Sequence, residues 1–189
     1  MATVRPPACL LLHGFTGSPG ELEPLIRHLE RGGRRCAAPT LPGHGGSLRD
    51  LHRFRYTEWV RAAEREAEAL AAAHGAIDVI GFSMGGLLAA HVANRYPVRS
   101  LALLNAAVHC FHPVRLLRGA LRLLGGGEGG GRVAGGAGGE APLGAFIEFV
   151  KLRRALKPEF GRVAVPTFIA QGELDEVVHP RSAEYIAQR

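Results

Sequence analysis

Ile77-Asp78-Val79-Ile80-Gly81-Phe82-Ser83-Met84-Gly85-Gly86 decides the fold. Its first half is an apolar run of strand character, and the residues that follow it, Leu87 to Asn94, have helix-forming composition. A strand that ends in Gly-x-Ser-x-Gly and passes straight into a helix is a nucleophile elbow. The glycines two residues either side of Ser83 have a steric task, because the turn brings strand and helix too close for side chains at those positions. The pattern alone is common in a glycine-rich chain; the strand before it and the helix after it give it meaning. The turn places Ser83 Oγ at the carboxyl edge of a sheet. It also puts the Met84 N–H at a helix N-terminus, where an unpaired donor can meet developing negative charge.

Upstream, Cys9-Leu10-Leu11-Leu12 reads as a short buried strand that stops at His13-Gly14-Phe15-Thr16-Gly17. A glycine-flanked loop at a strand end can turn a backbone amide toward a pocket, so the Phe15 N–H is the expected second oxyanion donor beside that of Met84. His13 is expected to be a structural hydrogen-bonding residue. Ser18-Pro19-Gly20-Glu21 has the spacing of a capping box with proline at the first helical position, and Leu22, Leu25, Ile26 and Leu29 give the helix an apolar face.

Further along, Arg34 to Ala38 reads as a strand and Pro39 to Ser47 as a loop. Thr57 is expected to cap a helix from Glu58 to about His74 that Gly75 ends. Leu101 to Val108 and Val165 to Gln171 read as further strands. Strands alternating with helices of this length predict an α/β fold, a mostly parallel sheet with helices on both faces and ligands at its carboxyl edge. Between the last two strands lies an insertion far longer than an ordinary crossover. It begins with an amphipathic basic helix, Val114 to Leu124. Gly125 to Gly139 follows, ten of its fifteen residues glycine and so unable to pack a core. Leu143 to Leu156 is helical again, with Phe146, Phe149, Val150 and Leu152 available to face a pocket.

His13-Gly14-Phe15-Thr16-Gly17, Pro42-Gly43-His44-Gly45, Gly81-Phe82-Ser83-Met84-Gly85-Gly86 and Pro166 to Gly172 with Asp175 resemble, in order, the motifs of bacterial α/β-hydrolases of the carboxylesterase and monoacylglycerol lipase branch. The resemblance spans Leu10 to about Ile186 and is poor only between roughly Phe111 and Leu143. It implies an ester-cleaving serine hydrolase that forms an acyl-enzyme on Ser83. Its substrate would be a small-molecule ester or a monoacylglycerol; no metal or cofactor is expected, because the sequence shows no ligand cluster or nucleotide fingerprint. It makes the insertion, at about 109–160, a cap over the site, and His44 a structural loop residue. It also implies that Asp175 is the acid that orients a histidine, preferred to its neighbours Glu173 and Glu176. The family's histidine follows the acid, past one more helix and one more strand. His179 is the only later histidine in this chain, and His109 and His112 leave the strand next to that of Ser83. The expectation is therefore that the base lies past Arg189, that the sheet lacks its last strand, and that Val165 to Gln171 forms an open edge prone to association. A binding protein of the same fold that has lost turnover is the alternative of a different class.

Composition fits one domain over residues 1–189. A hydrophobic share of 47% with 21% charged residues is that of an ordinary soluble core and surface. The net charge of +6 is almost all arginine, dispersed along the chain with no nucleic-acid motif, so it reads as solvated surface. Cys9, Cys36 and Cys110 lack metal-ligand spacing and suit a reducing compartment. No signal peptide or membrane-spanning segment is legible, which makes the expected location cytoplasmic, without stable membrane insertion. Oligomeric state is not encoded in any of these features.

Overall fold

The computed structural model describes residues 8–46, 48–110 and 140–189. The expected helix Val114 to Leu124, the glycine-rich stretch and His112 lie outside the described residues. Five strands form one parallel sheet: β1 (Ala8–Leu12), β2 (Arg35–Ala37), β3 (Ile77–Phe82), β4 (Val98–Leu104) and β5 (Thr167–Ala170), in the order β2-β1-β3-β4-β5. The order reverses beside β1, so the chain builds outward in one direction to β2 and then in the other from β3 to β5, as right-handed crossovers require. Register brings Leu12 opposite Gly81, Phe82 opposite Leu104, and Leu104 opposite Ala170, so four strands end at one level.

The helices are α1 (Glu23–Arg31), α2 (Leu48–Leu51), α3 (Tyr56–His74), α4 (Met84–Ala93), α5 (Glu140–Leu156) and α6 (Arg181–Ala187). The larger core joins alternate residues of the sheet, among them Leu10, Leu12, Val79 and Leu103, to Trp59, Leu87, Leu88, Phe149, Leu152 and Ile186 from α3 to α6. The opposite face carries a smaller cluster, Cys9, Leu11, Leu22 and Ile80, against Leu25, Ile26 and Leu29 of α1. Toward β5 that face opens: Ala102 and Leu104 are half-buried and Phe168 is 64% exposed. Among the described residues β5 pairs only with β4, and Phe168 is an exposed apolar side chain on this face.

Several local expectations give way to better partners. Ser18 Oγ accepts from the Gly20 N–H at 3.3 Å, but Pro19–Leu22 is a 3-10 turn and the Glu21 carboxylate does not return to Ser18. Thr57 is not the cap of α3; Arg55 is, because the Glu58 carboxylate reaches back to the Arg55 N–H at 2.8 Å. The Tyr56 N–H is taken by Glu148 on α5 at 3.1 Å. Phe149 and Leu152 do not line an open pocket: both are buried in the main core, which ties α5 to the sheet domain. Asp78, inside the buried strand β3, is accommodated by Arg34, Arg99 and Ser100. Burial alone would raise its carboxyl, but the Arg99 and Ser100 hydrogen bonds outweigh that and hold it below the usual range.

Candidate active site

Ser83 stands between β3 and α4 at φ 54° and ψ −114°, a left-handed backbone that costs a non-glycine residue about 1–3 kcal/mol. It persists because its backbone is pinned from both sides. The Ser83 N–H donates to Leu104 O at 2.9 Å, and its carbonyl accepts from the Gly86 N–H at 3.0 Å and the Ala107 N–H at 3.1 Å. The glycines behave as their spacing requires. A Cβ on Gly81 would lie 2.4 Å from Gly85 O, one on Gly85 2.0 Å from Leu12 O, and one on Gly86 2.7 Å from the Ala106 Cβ. Met84 begins α4, and its N–H has no partner among the described residues.

The loop after β1 lies against this elbow: a Cβ on Gly14 would sit 3.4 Å from the Ser83 Cβ and 3.4 Å from the Phe82 ring. His13, wholly buried, donates from Nδ1 to Gly14 O at 2.9 Å, and its Nε2 accepts from the Leu41 N–H at 3.1 Å. These two bonds fix the tautomer and make the residue structural; burial lowers its pKa. The Gly14 N–H donates to the Glu21 carboxylate at 3.3 Å, which is where the expected capping acid goes. Burial pushes the Glu21 carboxyl up, against the pull of that bond. Thr16, with φ 66°, completes the turn, and the Phe15 N–H is without a partner among the described residues.

An aromatic wall stands behind the loop. The Phe15 ring stacks on Phe149 of α5 with centroids 5.0 Å apart and meets Trp59 of α3 edge-on at 6.1 Å. His44 packs edge-on to Trp59 at 5.4 Å and to His13 at 4.9 Å. Pro42 O accepts from both His44 Nδ1, at 3.1 Å, and Trp59 Nε1, at 2.9 Å. Burial first, and then the neighbouring His13, push the His44 pKa down to about 4. His44 is thus a neutral packing residue at neutral pH.

Asp175 occupies the loop after β5. Its Oδ1 accepts from the Val177 N–H at 2.8 Å and the Val178 N–H at 2.9 Å, and its Oδ2 accepts from the Asn105 amide. Glu173 and Glu176 are exposed, whereas Asp175 is half-buried against the sheet edge. Asn105 is the residue that sequence reading missed, since it fell inside the expected strand Leu101 to Val108. The strand ends at Leu104 because Asn105 turns to φ 47°. Asparagine is depleted in strands and tolerates left-handed backbone, which is the signal that marks such a position.

Ser83, Phe15 and Met84 are therefore brought together, and Asp175 shares their edge through Leu104 and Asn105. His109 and His179, the candidate histidines among the described residues, have their named bonds elsewhere. The His109 N–H donates to Ser182 Oγ at 2.9 Å, and its ring lies edge-on to Tyr185 at 5.3 Å with Nε2 3.5 Å from Lys157 Nζ. Burial, followed by Lys157 and Arg153, lowers its pKa. His179 Nδ1 accepts from the Arg181 N–H at 3.1 Å, and its own N–H donates to His109 O at 2.7 Å. None of these bonds runs to Ser83 or Asp175.

The sequence profile of the alpha/beta hydrolase fold matches residues 7–134. The chain belongs to this family. The matched range of this α/β-hydrolase includes the elbow, the loop after β1 and Asn105, and ends before Asp175. The chain is 29% identical over 197 aligned residues to a thermostable monoacylglycerol lipase of Bacillus sp. (strain H-257), covering 97% of this chain and 76% of that protein. It is 30% identical over 103 residues to a carboxylesterase of Bacillus subtilis (strain 168), covering 54% of this chain and 42% of the relative. Among solved structures, that of the metagenome-derived lipolytic enzymes LipS and LipT superposes with a TM-score of 0.76 at 25% identity, over 96% of this chain and 78% of the other. The monoacylglycerol lipase of Paleococcus ferrophilus shares the fold with a TM-score of 0.67 at 15% identity, over 97% and 80% of the two chains. Among the described residues, no helix is long and apolar enough to cross a membrane.

Proposed function

We propose that this α/β-hydrolase cleaves carboxylic esters through an acyl-enzyme on Ser83. The observation that carries the reading is the elbow itself: a serine held at φ 54° near two N–H groups, those of Met84 and Phe15, that have no partner among the described residues. A strained serine whose backbone is fixed by three hydrogen bonds presents its hydroxyl without a reorganisation cost at the moment of attack. In the proposed reaction Ser83 Oγ attacks the ester carbonyl while its proton passes to an imidazole. The Phe15 and Met84 N–H groups take the oxyanion, and the imidazolium returns the proton to the leaving alcohol. Water then releases the acid by the same steps in reverse order of roles. Asp175 is the carboxylate that would hold the imidazole tautomer, and no metal or cofactor enters the scheme.

The half-buried Phe15 ring, backed by the buried Phe149 and Trp59, supports an acyl chain as the part of the ester held beside Ser83. Likeness to a monoacylglycerol lipase over nearly the whole chain favours monoacylglycerols as a second reading beside short carboxylic esters. The three unpaired thiols, Cys9, Cys36 and Cys110, support a cytoplasmic setting, and burial pushes the Cys36 thiol up to about 11. The test is turnover of 4-nitrophenyl butyrate and of 1-monolauroylglycerol by the folded chain beside Ser83→Ala. Serine-dependent hydrolysis is expected wherever an imidazole other than those of His109 and His179, whose named bonds run elsewhere, reaches Ser83 and Asp175. A folded chain that binds these esters without cleaving them would replace the enzyme reading with that of a hydrolase-fold binding protein.

A further inference from the structure

The geometry points to Asn105 as the residue that fixes the orientation of the Asp175 carboxylate at the sheet edge, a positioning role that deepens, and rests on, the reading of Asp175 as the acid of the site. Asn105 makes three contacts with one short stretch of chain. Its N–H donates to Ala170 O, the last residue of β5, at 2.8 Å. Its Oδ1 accepts from the Gly172 N–H at 3.0 Å, and its Nδ2 donates to Asp175 Oδ2. The Gly172 N–H can only donate, so it settles which end of the carboxamide faces which partner and leaves the NH₂ for the acid.

The carboxylate is thereby held at both oxygens. Val177 and Val178 N–H groups grip Oδ1 from the chain that follows, and Asn105 grips Oδ2 from the neighbouring strand. Without Asn105 the carboxylate is held at Oδ1 alone, so Oδ2 is no longer fixed. Asn105 also lies next in the chain to Leu104, whose carbonyl accepts the Ser83 N–H. One dipeptide, Leu104-Asn105, therefore fixes the nucleophile with its first residue and the acid with its second. The left-handed backbone of Asn105 belongs to the same design. At φ 47° the chain leaves β4 so that the carboxamide reaches sideways to the loop after β5, and asparagine bears that conformation at little cost.

Asn105→Asp separates positioning from mere structure. The variant is isosteric, accepts the same φ and keeps an acceptor for the Gly172 N–H; it loses only the donor to Asp175 and sets two carboxylates facing each other. Asn105→Gly is the second variant, since glycine takes the backbone freely and deletes the carboxamide. Two readouts apply to both variants. Amide hydrogen exchange follows the Val177 and Val178 N–H groups, and single-turnover kinetics follow release of 4-nitrophenol from 4-nitrophenyl butyrate as Ser83 is acylated.

We expect exchange at Val177 and Val178 to be about tenfold faster while amides of α3 and α4 are unchanged. Acylation should be about 10- to 100-fold slower with KM held within about twofold, the loss of one hydrogen bond to a charged group. Exchange at Val177 and Val178 equal to that of the parent chain in both variants would overturn the proposal. Altered exchange with unaltered acylation would overturn it equally, because the carboxylate would then have moved without consequence. If the parent chain is never acylated, the ester-hydrolase reading fails, and the exchange arm still decides whether Asn105 holds Asp175.

Discussion

Gly85→Ala should damage this protein twice, once in stability and once in rate. The new Cβ would lie 2.0 Å from Leu12 O, 2.5 Å from the Leu12 carbonyl carbon and 2.8 Å from His13 O. Ordinary contact between such atoms begins at roughly 3.4 Å, so something must move by about 1.4 Å. The clashing atoms are backbone, at the end of β1 and in the loop that carries Phe15, and no side-chain rotamer can relieve them. Overpacking of this kind costs about 1–3 kcal/mol, and the upper end applies where backbone must shift. For a chain of this length that is a fall in Tm of about 6–12 °C, read by circular dichroism or calorimetry. The displaced parts are α4 and the loop after β1, the two elements that bear the Met84 and Phe15 N–H groups. A misplacement near 1 Å at a reacting centre costs about 10²-fold in rate, which should show in ester hydrolysis well below the variant's melting point. Gly144→Ala is the control. Among the described residues its Cβ would meet only the His52 Cβ, at 3.6 Å, in a helix where alanine is favoured, and the expected change is none or a slight gain. A Gly85→Ala chain that melts within about 2 °C of the parent and keeps its activity would refute the steric reasoning about the elbow.

Other consequences follow from the aromatic wall. His44, neutral down to about pH 4 in the folded chain against about 6.5 when unfolded, makes the unfolded state bind more protons between these values. Stability is then full above about pH 6.5 and falls by at most about 3 kcal/mol as pH drops toward 4. Urea unfolding of His44→Gln at pH 7 and pH 4.5 should show that slope flattened. Phe149→Ala, which empties a fully buried site against Phe15, should cost about 3–5 kcal/mol in the same assay. Phe149→Leu should retain most of that stability while loosening the Phe15 loop, and therefore lose rate more than it loses stability.

Parts of the site whose partners lie close in sequence were legible before any coordinates. The elbow is one, because Gly81, Ser83, Gly85 and the flanking strand and helix report a single local turn. His13 is another, since the glycine beside it marks the loop that bends around it. Contacts that depend on the fold were not legible. Asn105 read as one more residue of a strand, and only the neighbouring β5 loop gives it a reason to leave the sheet. Glu21 has the spacing of a capping acid, yet it finds a buried donor, the Gly14 N–H, that a linear reading cannot see. Thr57 lost the cap to Arg55 because the Glu58 carboxylate reaches three positions back, to the Arg55 N–H. Phe149 carried the right chemistry for a pocket lining, but α5 packs closely on α4 and presses the ring into the core.

The account stands on Ser83 being an activated nucleophile, and covalent trapping tests that most directly. The folded chain would be incubated with a fluorophosphonate, weighed by intact-mass spectrometry, digested, and the modified peptide sequenced, beside Ser83→Ala treated identically. The account predicts one adduct, on Ser83, and none on the variant. An adduct that survives in Ser83→Ala, or a folded parent chain that stays unlabelled, would contradict it.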